Sequence, residues 1–152
     1  MFQDQSDILS PEQELDFLKQ IYGENRPDKL VEILTDSFNV LQNRAQMLLS
    51  LITITLTITG FSGPRIAESS LVARISIAFG LVFVLMSALI LMAGPLRINW
   101  CTRTKSVDLD QSLTKLIVQR NSRTDRYHLA AISLVIGLIG YVSSVISFLI
   151  SG

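Results

Sequence analysis

The chain has 152 residues, enough for about one domain, and its formal net charge at neutral pH is zero. Its hydrophobic fraction of 49% and its mean hydropathy of +0.43 are high for a water-soluble domain. The single cysteine, Cys101, excludes a disulfide within the chain.

The first predicted helix covers residues 11–22. Ser10 is a favourable N-cap, Pro11 suits the first helical turn, and Gln13 completes a capping box. We expect the helix to end at Gly23, and its apolar side chains to form one stripe at helical spacing. The helix belongs to a predicted cytosolic segment at the start of the chain.

Three long stretches without charged side chains follow this segment. Twenty uncharged positions separate Arg44 from Arg65, 22 separate Arg74 from Arg97, and 26 follow Arg126. About 20 apolar residues cross the hydrocarbon core of a bilayer as a helix. The first stretch contains SLITITLTIT, which alternates like a strand, but a barrel needs about eight such strands and no other segment alternates. The sequence therefore predicts an all-α membrane protein with three transmembrane helices.

The predicted organisation has two parts, a cytosolic helical segment over residues 1–44 and a three-span membrane domain over residues 45–152. The second helix of the cytosolic segment, at about residues 28–44, continues without a break into the first span. We place the spans at about residues 45–62, 72–94 and 127–150, with a cytosolic loop at 95–126. A short amphipathic helix over residues 107–121 is expected within that loop.

The distribution of lysine and arginine predicts the orientation. Only two basic residues, Arg65 and Arg74, lie near the connection of the first two spans, whereas the long loop has seven, counted from Arg97 to Arg126 inclusive. The positive-inside rule therefore places the long loop and the N-terminus in the cytosol, and the C-terminus outside.

One face of the second helix is polar from the cytosolic segment into the first span. At 100° per residue its polar side chains fall within a sector of about 120°. The cytosolic members are Glu32, Asp36, Asn39, Gln42 and Asn43, and those of the first span are Gln46, Ser50, Thr53 and Thr57. In a ring of subunits this face would line a pore, and its acidic mouth would attract cations. Alternatively, the hydroxyls simply bond their own backbone or a neighbouring helix.

Small residues recur every three or four positions on the third span. They include Ser133, Gly137, Gly140 and Ser144. Small side chains at this spacing let membrane helices approach closely. The pattern predicts a packing face, either to a neighbouring span or across subunits.

A second polar feature is the basic region of the long loop. Its candidate anion-binding residues are Arg103, Lys105, Lys115, Arg120, Arg123 and Arg126. Phosphate-rich ligands such as nucleotides or short single strands would suit such a site. The alternative is that these side chains obey the positive-inside rule and contact lipid headgroups.

Several chemical signatures do not occur in the sequence. It contains no GxxxxGK[ST], HExxH or CxxC motif, and no charged side chain lies in the interior of a predicted span, since Arg74 is at the very start of the second. We therefore expect neither an enzyme nor an ion-coupled carrier, and no cofactor or metal.

The plan of cytosolic helices, three uncharged spans and a basic cytosolic loop resembles the small membrane effectors of bacterial anti-phage defence, above all those of the Hailong type. The resemblance covers the whole chain and rests on architecture, so no residue is carried over. It implies a homo-oligomeric channel, a tetramer, in the bacterial inner membrane, whose opening depolarises that membrane. It also implies a ligand, a short single-stranded DNA oligomer made by a partner nucleotidyltransferase, that keeps the channel shut.

A function from another class is also compatible with the sequence. The chain could be a non-conducting membrane anchor or accessory subunit. Its cytosolic helices, around Leu15–Ile21 and Leu30–Leu41, would then dock a partner protein.

Overall fold

The computed structural model describes residues 9–23, 26–94 and 109–151. Within these ranges the chain forms four α-helices and no strand, which confirms the predicted all-α class. The helices are α1 (Pro11–Tyr22), α2 (Pro27–Ser69), α3 (Leu71–Ala93) and α4 (Leu109–Ser151). The last three are long and apolar enough to cross a membrane.

Helix α1 is bounded by local capping signals. The Ser10 backbone N–H donates to the Gln13 side chain at 2.9 Å, and the Gln13 backbone N–H donates to the Ser10 hydroxyl at 3.3 Å. At the other end Gly23 has φ of 91°, and its N–H donates to the Lys19 carbonyl. Glycine adopts this left-handed conformation without steric cost, so the helix ends there.

The predicted loop between the first two spans is almost entirely helical, which corrects the expected end of the helix near residue 62. Helix α2 continues through Pro64 to Ser69, and α3 starts at Leu71. Only Ser70 separates them, and its hydroxyl caps α3 by accepting the Ala73 N–H at 3.1 Å. The uncharged stretch of 20 positions is therefore shorter than the 43-residue helix that contains it.

A short helix was also predicted over residues 107–121 of the long loop; residues 109–121 are helical, but they do not form a separate helix. The predicted loop helix and the third span belong to one helix of 43 residues, α4. No glycine or proline occurs between Leu109 and Ile136, so nothing in the backbone interrupts the helix there. The candidate residues Arg103 and Lys105 lie outside the described residues.

The chain divides into two compact units. The first unit comprises residues 1–40 and 98–122, and its described part contains α1 and the starts of α2 and α4. Its buried core consists of Leu15, Leu30, Leu34, Leu113 and Ile117. Two ion pairs join α1 to α4, namely Lys19 to Asp110 at 2.6 Å and Arg120 to Glu14 at 2.7 Å.

The second unit comprises residues 41–97 and 123–152, and it packs α3 against the later parts of α2 and α4. Its core has two clusters of buried side chains. The large cluster contains Ala45, Ile52, Val84, Leu91, Ala130 and Leu134. The small cluster contains Ile66, Ala73 and Ile77, with Tyr141 and Val145 packed against it.

Candidate functional site

The polar face of α2 points away from the core of the second unit. The opposite face supplies the buried side chains Ala45, Ile52, Thr55 and Thr59, of which the most accessible is 9% exposed. The four predicted pore-lining residues, Gln46, Ser50, Thr53 and Thr57, are all exposed. A row of polar side chains thus lies on the outer surface of a helix that is apolar enough to cross a membrane.

The hydroxyls of this row are bonded to the helix that carries them. Ser50 donates to the Gln46 carbonyl at 3.1 Å, and Thr53 to the Leu49 carbonyl at 2.9 Å. Thr57 donates to the Thr53 carbonyl, also at 2.9 Å. These bonds satisfy the hydroxyl donors, as expected if the hydroxyls simply bond their own backbone. Each hydroxyl oxygen nevertheless retains lone pairs that can accept a hydrogen bond from water or solvate a cation.

The Gln46 carboxamide differs from the hydroxyls because it makes no hydrogen bond within the described residues. An amide left without a partner in hydrocarbon costs several kcal/mol on the water-to-cyclohexane scale, about 4–8 kcal/mol. Gln46 therefore requires water, a headgroup or a polar surface from another molecule.

A second polar row on α2 faces inward. Thr55 and Thr59 are buried, and each donates to a carbonyl of its own helix. Ser62 contacts the hydroxyl of Tyr141 on α4 at 3.1 Å, which links two helices through polar atoms. Sequence reasoning did not select Tyr141, although a tyrosine in the middle of an apolar span signals a hydroxyl that needs a partner.

The five residues predicted to form a cytosolic vestibule are all exposed. Glu32, Asp36 and Asn39 belong to the first unit, and Gln42 and Asn43 to the second. Within the described part of the chain, neither Glu32 nor Asp36 has an ion pair. Neither carboxylate is therefore neutralised by a direct ion pair with a side chain that the structure describes.

The small residues of α4 pack against α3. A Cβ atom placed on Gly137 would lie 2.7 Å from the Val84 side chain, and one on Gly140 would lie 3.0 Å from the Gly80 Cα. The Ser133 hydroxyl donates to the Phe83 carbonyl of α3 at 3.0 Å. Ser144 is fully buried but donates to a carbonyl of its own helix. The stripe thus makes a helix contact inside the chain.

The described basic residues are mostly engaged by protein groups. Arg120 donates to both carboxylate oxygens of Glu14, at 2.7 and 2.9 Å. Arg126 donates to the Ala93 carbonyl at the end of α3 at 2.9 Å, and the half-buried Arg123 also has an interaction partner. Lys115 is exposed. An anionic ligand that used the arginines would have to compete with these contacts.

Comparisons with known proteins identify no relative of the chain. No family model matches the sequence, and neither a curated protein nor a solved structure does so.

Proposed function

We propose that the chain assembles into a homo-oligomeric ion channel, a tetramer, in the bacterial inner membrane. The observation that carries the proposal is the exposed polar row Gln46, Ser50, Thr53 and Thr57 on the outer face of α2. Around a shared axis, four copies of this row would surround a water-filled path, and their hydroxyls would replace part of the hydration shell of an ion.

Energetic considerations support a contact between copies of the chain. The hydroxyl oxygens of Ser50, Thr53 and Thr57 are exposed and retain free lone pairs, and lipid offers them no hydrogen-bond donor in the hydrocarbon region. Three helices of one chain are too few to enclose a water path. An oligomer lets the polar row meet water, while the apolar outer surfaces of α3 and α4 meet lipid.

The proposed orientation follows the distribution of basic residues. We place the N-terminus in the cytosol and the C-terminus outside. In that arrangement Glu32 and Asp36 lie at the cytosolic mouth, where their negative charges favour cations over anions. Asn39, Gln42 and Asn43 extend the polar surface from the mouth toward the membrane.

We further propose that an anionic cytosolic ligand, a nucleotide or a short single-stranded DNA oligomer, gates the channel. The basic residues of the long loop and of α4 supply the positive charge for phosphates. Such a ligand shifts the closed–open equilibrium only by its difference in affinity for the two states. The role in depolarising the membrane during antiviral defence rests on the architectural resemblance.

Matched threonine substitutions test the pore. Thr53→Val and Thr57→Val remove hydroxyls from the exposed row, whereas Thr55→Val makes the same chemical change on the buried face. In liposomes we expect the first two together to lower cation flux severalfold, because a drier lining raises the cost of hydrating the path. Thr55→Val should leave the flux unchanged. Equal flux in all variants, or no flux from the native protein, would contradict the proposal.

A membrane anchor for a partner protein is the second candidate. The residues Leu15, Leu30 and Leu34, which the docking hypothesis used, are buried in the core of the first unit. Other apolar side chains of that unit remain exposed, namely Phe17 (51%), Ile21 (55%) and Val31 (45%). An anchor would show no flux in the liposome experiment, so the same measurement separates the two functions.

A further inference from the structure

One turn of α2 contains three residues that weaken a helix, namely Gly60, Gly63 and Pro64. Pro64 has no amide hydrogen, so the carbonyl of Gly60, four residues earlier, cannot receive its usual hydrogen bond. The proline ring also crowds that carbonyl. Glycine in a helix interior is itself less favourable than alanine. Both effects therefore act on the same helical turn.

Packing does not explain why position 60 is glycine. A Cβ atom built on Gly60 would meet no atom within 4 Å, and the residue is exposed. The glycines of α3 and α4 behave differently, because a Cβ on Gly80 would lie 2.8 Å from the Gly137 carbonyl oxygen. Within one chain, Gly60 therefore contributes backbone freedom and not close approach.

The neighbouring hydroxyls do not replace the missing hydrogen bond. Thr59 donates to the Thr55 carbonyl, and Ser62 donates to the Ile58 carbonyl. Hydroxyls commonly satisfy carbonyls that a proline leaves free in membrane helices. Here the two nearest hydroxyls bond other carbonyls, so the turn keeps its weakness.

The packing of α2 differs on the two sides of this turn. Before it, Ala45 and Ile52 belong to the large cluster. After it, Ile66 belongs to the small cluster. Within the turn, the Ser62 hydroxyl contacts Tyr141 at 3.1 Å. The weakened turn thus separates two segments that are held by different parts of the core.

We propose that residues 60–64 form a hinge at which α2 tilts residues 41–59, the segment with the polar row, relative to residues 65–69. This inference rests on the proposed pore, because the tilt would change the distance between copies of the row and so open or close the water path. Bends at proline and glycine have this cause in other helices. The hinge is a device of the α2 backbone and needs no ligand to exist.

Distances between spin labels test the hinge without any measurement of flux. Met47→Cys and Glu68→Cys place labels on exposed positions on either side of it, 21 residues or about 32 Å apart in a straight helix. Leu129→Cys and Ile150→Cys give an exposed control pair of equal separation on α4. Both pairs are made in a Cys101→Ser background, and labelled chains are diluted with unlabelled ones.

We expect a broad distance distribution for the α2 pair and a narrow one for the α4 pair. Gly60→Ala with Pro64→Ala restores the hydrogen bond and should narrow the α2 distribution to the control width. Gly60→Ala alone is a second variant that meets no steric obstacle, and we expect it to narrow the distribution partly. Equal widths of the two pairs in the native background would overturn the hinge.

Flux through liposomes then tests the gating role. A change of about one kcal/mol in helix propensity corresponds to roughly a fivefold change in an equilibrium. We therefore expect Gly60→Ala to change cation flux about fivefold, with Leu51→Ala as an exposed control that leaves it unchanged. If the native protein conducts and Gly60→Ala conducts equally well, the gating role of the hinge is overturned but the proposed pore is not. Absence of native flux overturns the pore and the gating role together, and the label distances still decide whether the turn bends.

Discussion

The glycines of the second unit serve two different purposes. At Gly80 the absence of a side chain lets α3 approach the backbone of α4, because a Cβ there would lie 2.8 Å from the Gly137 oxygen and 3.0 Å from the Tyr141 nitrogen. Backbone atoms cannot rotate out of the way as a side chain can. A side chain at this position must separate the two helices.

Gly80→Ala should therefore destabilise the second unit. Overpacking of this kind costs about 1–3 kcal/mol, so we expect the thermal midpoint in detergent to fall by several degrees. Gly60→Ala is the matched control, since its added methyl group meets open space and replaces a weaker helix former. Circular dichroism at 222 nm measures both midpoints. If the thermal midpoint of Gly60→Ala fell as far as that of Gly80→Ala, close packing of α3 against α4 would not explain the destabilisation.

Only part of this contact could be predicted from the sequence. The spacing of Ser133, Gly137 and Gly140 predicted a packing face on α4, and the structure places that face against α3. The spacing identifies the face of a helix but not the helix that covers it. Gly80 was not selected, because a single glycine in an apolar span carries no periodic signal.

At the scale of the helices, buried apolar side chains and two ion pairs hold α1 against α4. Leu15 lies in the same buried cluster as Leu113 and Ile117. The Arg120–Glu14 ion pair is more buried than the Lys19–Asp110 pair. Its side chains are 24% and 19% exposed, whereas that of Asp110 is 53% exposed. Half-buried pairs are screened less by salt than exposed ones, so the Arg120–Glu14 pair should contribute more.

A double-mutant cycle on Glu14→Gln and Arg120→Gln measures that contribution. We expect a coupling free energy of about 1 kcal/mol, detected as faster amide hydrogen exchange in α1. Glu12→Gln is the control, because Glu12 is exposed and has no ion pair within the described residues. A coupling free energy near zero would mean that the apolar core alone stabilises the packing of α1 against α4.

The bounds of the elements were unevenly predictable. Local signals set those of α1, where Ser10 and Gly23 act within one turn of the helix. The continuity of α4 was missed because the predicted loop helix ended at residue 121 and the third span began at about residue 127, although no glycine or proline separates them. Charge marks where a helix leaves the hydrocarbon, but only backbone breakers such as proline and glycine mark where it ends. Pro64 shows that even a breaker does not always end a helix.

For the whole molecule, the decisive contrast lies between its outer surfaces. The exposed side chains of α3, and of α4 after His128, are largely apolar, including Leu71 (70%), Leu149 (72%) and Ile150 (81%), and they suit lipid. The outer face of α2 also exposes apolar side chains, such as Met47 (70%) and Phe61 (85%), but it adds the polar row Gln46, Ser50, Thr53 and Thr57. A helical wheel could predict this polar sector, because it depends on one helix. The number of copies that share it depends on angles between helices that the sequence does not specify.

The mass of the detergent-purified particle tests the assembly directly. A tetramer of 16.9 kDa chains has a protein mass of about 68 kDa, and we expect native mass spectrometry to find it. A particle of one chain would leave the polar row facing detergent and would contradict the channel.

Addition of a short oligodeoxythymidylate should raise the mass of the particle by whole ligand units, because basic side chains neutralise the phosphates. Lys115→Gln should weaken this binding and Glu14→Gln should strengthen it, since the second change frees Arg120 from its carboxylate partner. Binding that neither substitution alters would place the nucleic acid elsewhere on the molecule.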